Sequence, residues 1–321
     1  MHRFLPCFLA VCLSIAASQA AAEIRWPSLL GEAGERAPRA AAAQVDVSHH
    51  SFRHEDRTRS YRLVRPRARA QQAPTPVIMA FHGGGGTARS FAAMSGLDRL
   101  AARRGAVVVY PEGVRRFGVQ TWNGGGCCGP AMRAGVDDAG FAAALLDRLE
   151  RTHGITPGPV AGTGFSNGSI AIYEIAARRP ALFDAIIPVS GASMTSVVPR
   201  GPVPVLHIHG TQDAQAPYDG GRGEGSRLRR GFTSVASTLR TWTTVNACGS
   251  RPRVSALPDR DGDDQAPRYL RWTGCDAPVA HLRMTGMGHV WPGGTPPRRL
   301  GDANRDLSAT AWVWRFLMAN A

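Results

Sequence analysis

Short, continuous apolar runs at residues 77–81, 106–110, 185–189 and 203–208 recur along this chain, separated by stretches with a longer period. Runs without alternation predict strands covered on both faces, and the longer period is that of an amphipathic helix. Residues 91–103, with Phe91, Met94, Leu97, Leu100 and Ala101 in step, predict one helix. A second should follow Val136 and run through Phe141, Leu145 and Leu149. Residues 60–65 alternate and predict an early strand, and residues 281–284 a late one. Residues 225–247 and the stretch holding Trp312, Trp314, Phe316 and Leu317 read as helices, whereas 111–136 has no period and reads as irregular. Strands alternating with helices imply a mostly parallel sheet wrapped on both faces, an α/β fold. No internal repeat or second domain interrupts it, so 52–321 is expected to form one catalytic-sized domain.

The first 51 residues stand outside this rhythm. Met1-His2-Arg3 is a short positive start, an apolar core follows, and Ala20-Ala21-Ala22 precede Glu23. This predicts a secretory signal over 1–22, too short for a membrane anchor. Cys12 invites a lipoprotein reading, against which Val11 is bulky for a lipobox. Residues 23–51 are rich in Ala, Arg and Pro and read as a linker or loosely attached arm. The protein is therefore expected outside the cytoplasm, with no stable membrane insertion.

Export changes the meaning of the cysteines. Cys7 and Cys12 leave with the signal, so Cys127, Cys128, Cys248 and Cys275 remain for an oxidising compartment. Cys248 and Cys275 bound extended-looking segments and would close a loop, which favours that bridge. Cys127 and Cys128 are then either free or joined to each other. The net charge of +14 suggests an anionic partner, but all 38 basic residues are arginines scattered without a block or an aromatic ladder. Nucleic acid is accordingly not expected, and weak adhesion to anionic polymers stays open.

Candidate chemistry centres on Gly164-Phe165-Ser166-Asn167-Gly168, a G-x-S-x-G turn between an apolar run and a helical stretch. In that setting the turn holds a serine hydroxyl above the sheet, in front of a helix N-terminus. A serine is a poor nucleophile unless a base lies within hydrogen-bond reach and a third group orients the base. Asp213 and His289 follow in the order Ser, acid, His, each just past a strand end. Asp219 competes with Asp213. Of the other histidines, His49, His50 and His54 fall in the arm, His207 and His209 on a buried strand, and His281 at a strand start. The oxyanion should meet the amide of Asn167 and one from the loop His82-Gly-Gly-Gly-Gly86, with Gly84 before Gly83. No Gly-Lys-Ser/Thr follows these glycines, so a phosphate cradle is not expected. No cofactor or metal is expected either, since His207 and His209 point inward from one side of a sheet. Trp291, two residues past His289, and Trp122, in the long loop after the 106–110 strand, are the candidate substrate-binding walls; the alternative is that each only packs its loop.

Six motifs occur in order: His82-Gly-Gly-Gly-Gly86, Trp122-Asn123 with Cys127-Cys128, Val136-Asp-Asp-Ala-Gly-Phe141, Gly164-Phe-Ser-Asn-Gly168, His209-Gly-Thr-Gln-Asp213 and Gly288-His-Val-Trp-Pro-Gly-Gly294. Together they resemble the secreted polyhydroxybutyrate depolymerase / feruloyl esterase family of α/β-hydrolases, from about Arg57 to Met318. The resemblance implies the α/β-hydrolase fold and a serine carboxylester hydrolase with Ser166, Asp213 and His289 on the triad. Its partner would be a small-molecule or polymeric ester. Polymer-degrading members often carry Cys where Gly84 stands and Ala where Asn167 stands, and Ser169 replaces a usual Gly. Gly84 and Asn167 look more like the feruloyl-esterase and uncharacterised secreted branch. A serine peptidase on the same fold would need a selecting domain for which the chain has no room. A non-catalytic binder of anionic or plant cell-wall polymer would have no use for the Ser–Asp–His order.

Overall fold

The computed structural model describes residues 44–67, 74–195, 197–224, 231–296 and 304–321. The signal expected at 1–22 and the arm up to residue 43 lie outside the described residues. In chain order, β1 (Val45–His54) and β2 (Arg57–Pro66) form a hairpin, followed by β3 (Thr75–Phe81), α1 (Ala88–Ser95), α2 (Leu97–Arg104) and β4 (Val107–Pro111). The small hairpin β5 (Val114–Arg116) and β6 (Val119–Thr121) comes next, then α3 (Gly129–Arg133) and α4 (Asp138–His153). After β7 (Pro157–Phe165), α5 (Asn167–Arg178), β8 (Ala185–Val189), β9 (Val205–Gly210) and α6 (Val235–Val245), the chain adds β10 (Arg253–Ala256), β11 (Arg268–Arg271), β12 (Val279–Met284) and α7 (Ala309–Met318).

Ten strands make one sheet in the order β1-β2-β4-β3-β7-β8-β9-β12-β11-β10. Its centre, from β4 to β12, is parallel, and an antiparallel pair closes each flank. The reason lies in the sequence. β4, β8 and β9 are buried at every position, as strands sandwiched between helices must be. α5 packs so deeply that Asn167 through Ala177 are all buried. Every strand end that carries a candidate group (β3, β7, β9 and β12) opens on the same parallel edge, where α/β sheets place their sites.

Several expectations need correction. The arm does not extend to residue 51, because β1 begins at Val45 and pairs with β2 along its whole length. Its period-2 pattern is present but polar: Ser48, His50, Phe52 and His54 turn to the half-buried side, where His50 stacks on Tyr61 and Phe52 on Phe141. The domain thus starts before 52, and His49, His50 and His54 belong to it. The single helix at 91–103 is two, since Gly96 at φ 69° closes α1 as a left-handed cap. Residues 225–247 shorten to α6, whose Ser234 cap accepts from the Ser237 amide at 3.1 Å; residues 225–230 lie outside the described ones. The stretch 111–136 is not irregular throughout, holding β5, β6 and α3. The cysteine pairing needs no correction: Cys248 is bonded to Cys275, and Cys127 pairs with Cys128.

Candidate active site

The elbow follows from two close backbone approaches. A Cβ on Gly164 would come within 2.6 Å of the Gly168 backbone, and one on Gly168 would overlap the carbonyl oxygen of Phe81. With both positions open, β7 turns directly into α5, and Ser166 sits between them at φ 54°, ψ −118°. A non-glycine residue there is strained, and it is held by its amide, which donates to Val189 O at 2.9 Å. Ser166 lines two adjoining cavities. One is a cleft of about 1070 Å³ and the other, shared with His289, is about 460 Å³.

Asp213 stands past the end of β9, and its carboxylate is fully used. Oδ1 accepts from the amides of Gln215 at 2.9 Å and Ala216 at 2.8 Å, and Oδ2 accepts from His289 Nδ1 at 2.7 Å. Burial by itself would raise the Asp213 pKa, but hydrogen bonds from His209 and His289 outweigh it and hold the group below the usual carboxylate range. Because the carboxylate can only accept, His289 carries its proton on Nδ1 and leaves Nε2 as a lone pair on the cavity side. The His289 ring packs 4.8 Å from that of Phe165, the residue preceding Ser166. Asp219 is exposed and takes no part in this contact.

Across the site, Asn167 is the first residue of α5, so its amide has no acceptor within the helix. Its side chain is engaged twice, accepting from Trp122 N at 2.9 Å and donating to Trp122 O at 3.1 Å. Gly84 lines both cavities, while Gly83 lines only the smaller. The glycine loop is fixed from behind by His82. Gly113 N donates to His82 Nε2 at 3.0 Å, so Nδ1 carries the proton and donates to Gly83 O at 2.8 Å. Burial pushes the His82 pKa down to about 4, which keeps this arrangement neutral.

Neither tryptophan is a wall of the site. Trp122 and Trp291 are both fully buried and line neither cavity. Trp122 Nε1 donates to His82 O at 2.9 Å while its backbone grips Asn167, so it ties the glycine loop to the elbow. Trp291 Nε1 donates to Thr310 Oγ1 at 3.0 Å and its ring meets Phe91 edge-on at 5.2 Å, which anchors the His289 loop to α7 and α1. An indole that can bury its ring and satisfy its N–H inside the protein has no reason to face water. The Val136-Asp137-Asp138 motif is structural as well. Asp137 caps α4 through Gly140 N at 2.8 Å, and buried Asp138 pairs with Arg59 at 2.7 Å and accepts from Asn123 N at 2.8 Å.

Two residues that the sequence does not single out do face the site. Gln215 lines both cavities, and Phe117, 85% exposed at the β5–β6 tip, overhangs the larger one. A lone Phe-Gly inside an aperiodic stretch gives no sign of this, although Phe117 and Gly118 at φ 51° and 77° make a hairpin turn. For metals, the described residues bring together His54, Glu55 and Asp137, and separately Asp259, Asp261 and Asp306; neither group includes a residue of this site.

No family profile matches the chain. A protein of Nocardia uniformis subsp. tsuyamanensis named "Putative esterase NocK" is 31% identical over 286 residues, covering 82% of this chain and 80% of that protein. Feruloyl esterase B of Piromyces equi is 26% identical over 190 residues, or 56% of this chain and 34% of that longer protein. Among solved structures, acetyl xylan esterase from Aspergillus awamori superposes with a TM-score of 0.56 at 16% identity, over 76% of this chain and 94% of that one. That superposition shows the α/β-hydrolase fold.

Proposed function

Because the chain belongs to the feruloyl esterase family of α/β-hydrolases, and with it to the carboxylic ester hydrolases, we propose that it is a secreted enzyme that cleaves esters by serine chemistry. Ser166 Oγ attacks the ester carbonyl, and His289 Nε2 takes the hydroxyl proton. Asp213 holds the imidazole in the required tautomer and stabilises it once charged. The tetrahedral oxyanion lies between the amides of Asn167 and Gly84, each worth ~2.7–4 kcal/mol of barrier. His289 then gives its proton to the departing alkoxide, and water repeats the sequence on the acyl-enzyme. The observation that carries this reading is the 2.7 Å contact of His289 Nδ1 with Asp213 Oδ2, on an imidazole that shares a cavity with Ser166.

The two cavities divide the substrate. The alkoxide receives its proton from His289, so the alcohol half belongs in the 460 Å³ cavity, which His289 lines. The acyl half then extends into the larger cleft beneath Phe117. A broad cleft with an exposed ring at its mouth supports an aromatic acyl group, as on feruloylated polysaccharide, over a bare acetyl. Export is supported by the apolar segment after Arg3 and by the bond between Cys248 and Cys275.

The test is turnover of p-nitrophenyl acetate by the mature protein and by Ser166→Ala. The variant should fold with unchanged melting behaviour and lose several orders of magnitude in kcat, since the triad acts as one unit. A serine-directed phosphonate should silence the wild type with one-to-one labelling. Retention of more than about a tenth of the wild-type kcat by Ser166→Ala would remove the nucleophile from the mechanism.

A further inference from the structure

Behind the site, a line of buried polar groups runs along one face of the sheet and ends on Asp213. Tyr173 OH lies 2.8 Å from His207 Nδ1, His207 Nε2 lies 3.1 Å from His209 Nδ1, and His209 Nε2 lies 2.8 Å from Ala216 O. The same His209 Nε2 is 3.4 Å from Asp213 Oδ2. Tyr173, His207 and His209 are all fully buried. Their spacing follows from the fold: His207 and His209 are two apart on β9 and share one face, and Tyr173 projects from α5 packed above.

The protons in this line have one neutral solution. A carbonyl oxygen can only accept, so His209 carries its proton on Nε2. Its Nδ1 is then a lone pair that must receive the Nε2 proton of His207. That leaves His207 Nδ1 to accept from the Tyr173 hydroxyl. Burial, joined by His209 and His281 alongside, drives the His207 pKa well below its ordinary value, so that imidazole stays neutral. His281 on the neighbouring strand donates from Nδ1 to His207 O at 3.0 Å and accepts from Tyr218 OH at 2.8 Å, locking the register from the other side. The three hydrogen bonds that start from Tyr173 therefore point toward the Asp213 turn.

We propose that His209, oriented by His207 and Tyr173, is a positioning residue for Asp213: its single N–H fixes both the Ala216 carbonyl and the carboxylate oxygen that orients His289. The effect is direct because Ala216 N holds the other carboxylate oxygen, so His209 grips the same peptide segment from its carbonyl side. The inference rests on the serine-esterase reading, whose own failure would appear in Ser166→Ala and not in the variants below.

The experiment compares His209→Gln with His209→Asn, with kcat expressed per active site titrated by phosphonate. A glutamine amide reaches the place of Nε2 and keeps the donor, whereas an asparagine amide reaches only the place of Nδ1. His209→Gln should stay within about threefold of wild-type kcat, while His209→Asn should lose roughly thirtyfold in kcat with KM within about twofold, the cost of a misplaced orienting group. A residue that served only folding would lower the titrated fraction and the melting temperature of both variants and leave kcat per site unchanged. Tyr173→Phe removes one hydroxyl without changing the packing and serves if His209→Asn does not fold; its kcat should fall about threefold at constant KM. An unchanged kcat per site in His209→Asn or, if that variant does not fold, in Tyr173→Phe, or equal losses in the glutamine and asparagine variants, overturns the proposal.

Discussion

Trp291 shows how a residue's neighbours in sequence mislead about its neighbours in space. Two positions beyond His289, it stands where a substrate wall would be useful, yet its ring is sealed between Phe91 and Thr310. Thr310 Oγ1 in turn donates to Ser95 O at 2.6 Å, so the indole completes a buried chain from α7 to α1. Trp291→Ala should therefore cost about 3–5 kcal/mol of stability. It should also reduce turnover of aromatic and acetyl esters by the same factor. Urea unfolding together with kcat/KM on methyl ferulate and p-nitrophenyl acetate checks both halves. A loss confined to methyl ferulate, with stability intact, would return Trp291 to the pocket. The contrast with His289 is instructive: its pairing with Asp213 follows from order along the chain and from a Gly-flanked loop, both of which the sequence records. The facing of an indole depends on which distant side chain offers an acceptor, and no local pattern records that.

At the scale of elements, the legible part was the buried centre. β3, β4, β8 and β9 announce themselves as unbroken apolar runs because helices cover both their faces. The flanks were hidden for the converse reason. β10 is exposed at every position, β1 turns histidines and a serine inward, and β5 and β6 are too short to show a period. The β5–β6 hairpin, a two-stranded sheet of its own, carries Phe117 at the larger cavity on an exposed turn. Arg116 lies against the ring at 5.2 Å and gives it a cationic edge. Phe117→Ala should leave stability within about 0.5 kcal/mol, as expected for an exposed tip. It should lower kcat/KM for methyl ferulate about five- to tenfold while sparing p-nitrophenyl acetate, since a lost ring contact is worth roughly 1–1.5 kcal/mol. Equal values for the two esters in the variant and the wild type would place the acyl group elsewhere.

For the whole molecule, the buried imidazoles set a limit on acid tolerance. His82 is lowered to about 4 and His281 to about 3 by burial, and His207 is driven well down by the same cause. In the unfolded chain each would titrate near its ordinary value of ~6.5. Between those limits the unfolded state binds more protons than the folded one, so stability falls as pH falls. It is complete above about pH 6.5 and is lost progressively toward the folded values. One proton is worth about 1.4 kcal/mol per pH unit, and three together give a slope of about 4 kcal/mol per unit. Against a typical total of roughly 5–15 kcal/mol, a drop of about one to four units below pH 6.5 spans the range over which the protein unfolds. Asp138 and Glu112, raised chiefly by burial, act in the opposite sense and offset part of the loss as they take up protons. Asp213, held low by its two histidine donors, adds to the loss only below the ordinary carboxylate range. Urea midpoints measured from pH 7.5 to 5 should therefore fall steeply below pH 6.5. His281→Gln, which removes one of the three protons, should flatten the slope by about a third even if it lowers stability at pH 7.5. The proposed chemistry adds a separate requirement, since His289 must be neutral to accept the serine proton. Wild-type stability that stays flat down to pH 5 would mean that the imidazoles are protonated inside the fold, and the neutral His207 behind Asp213 would fail with it.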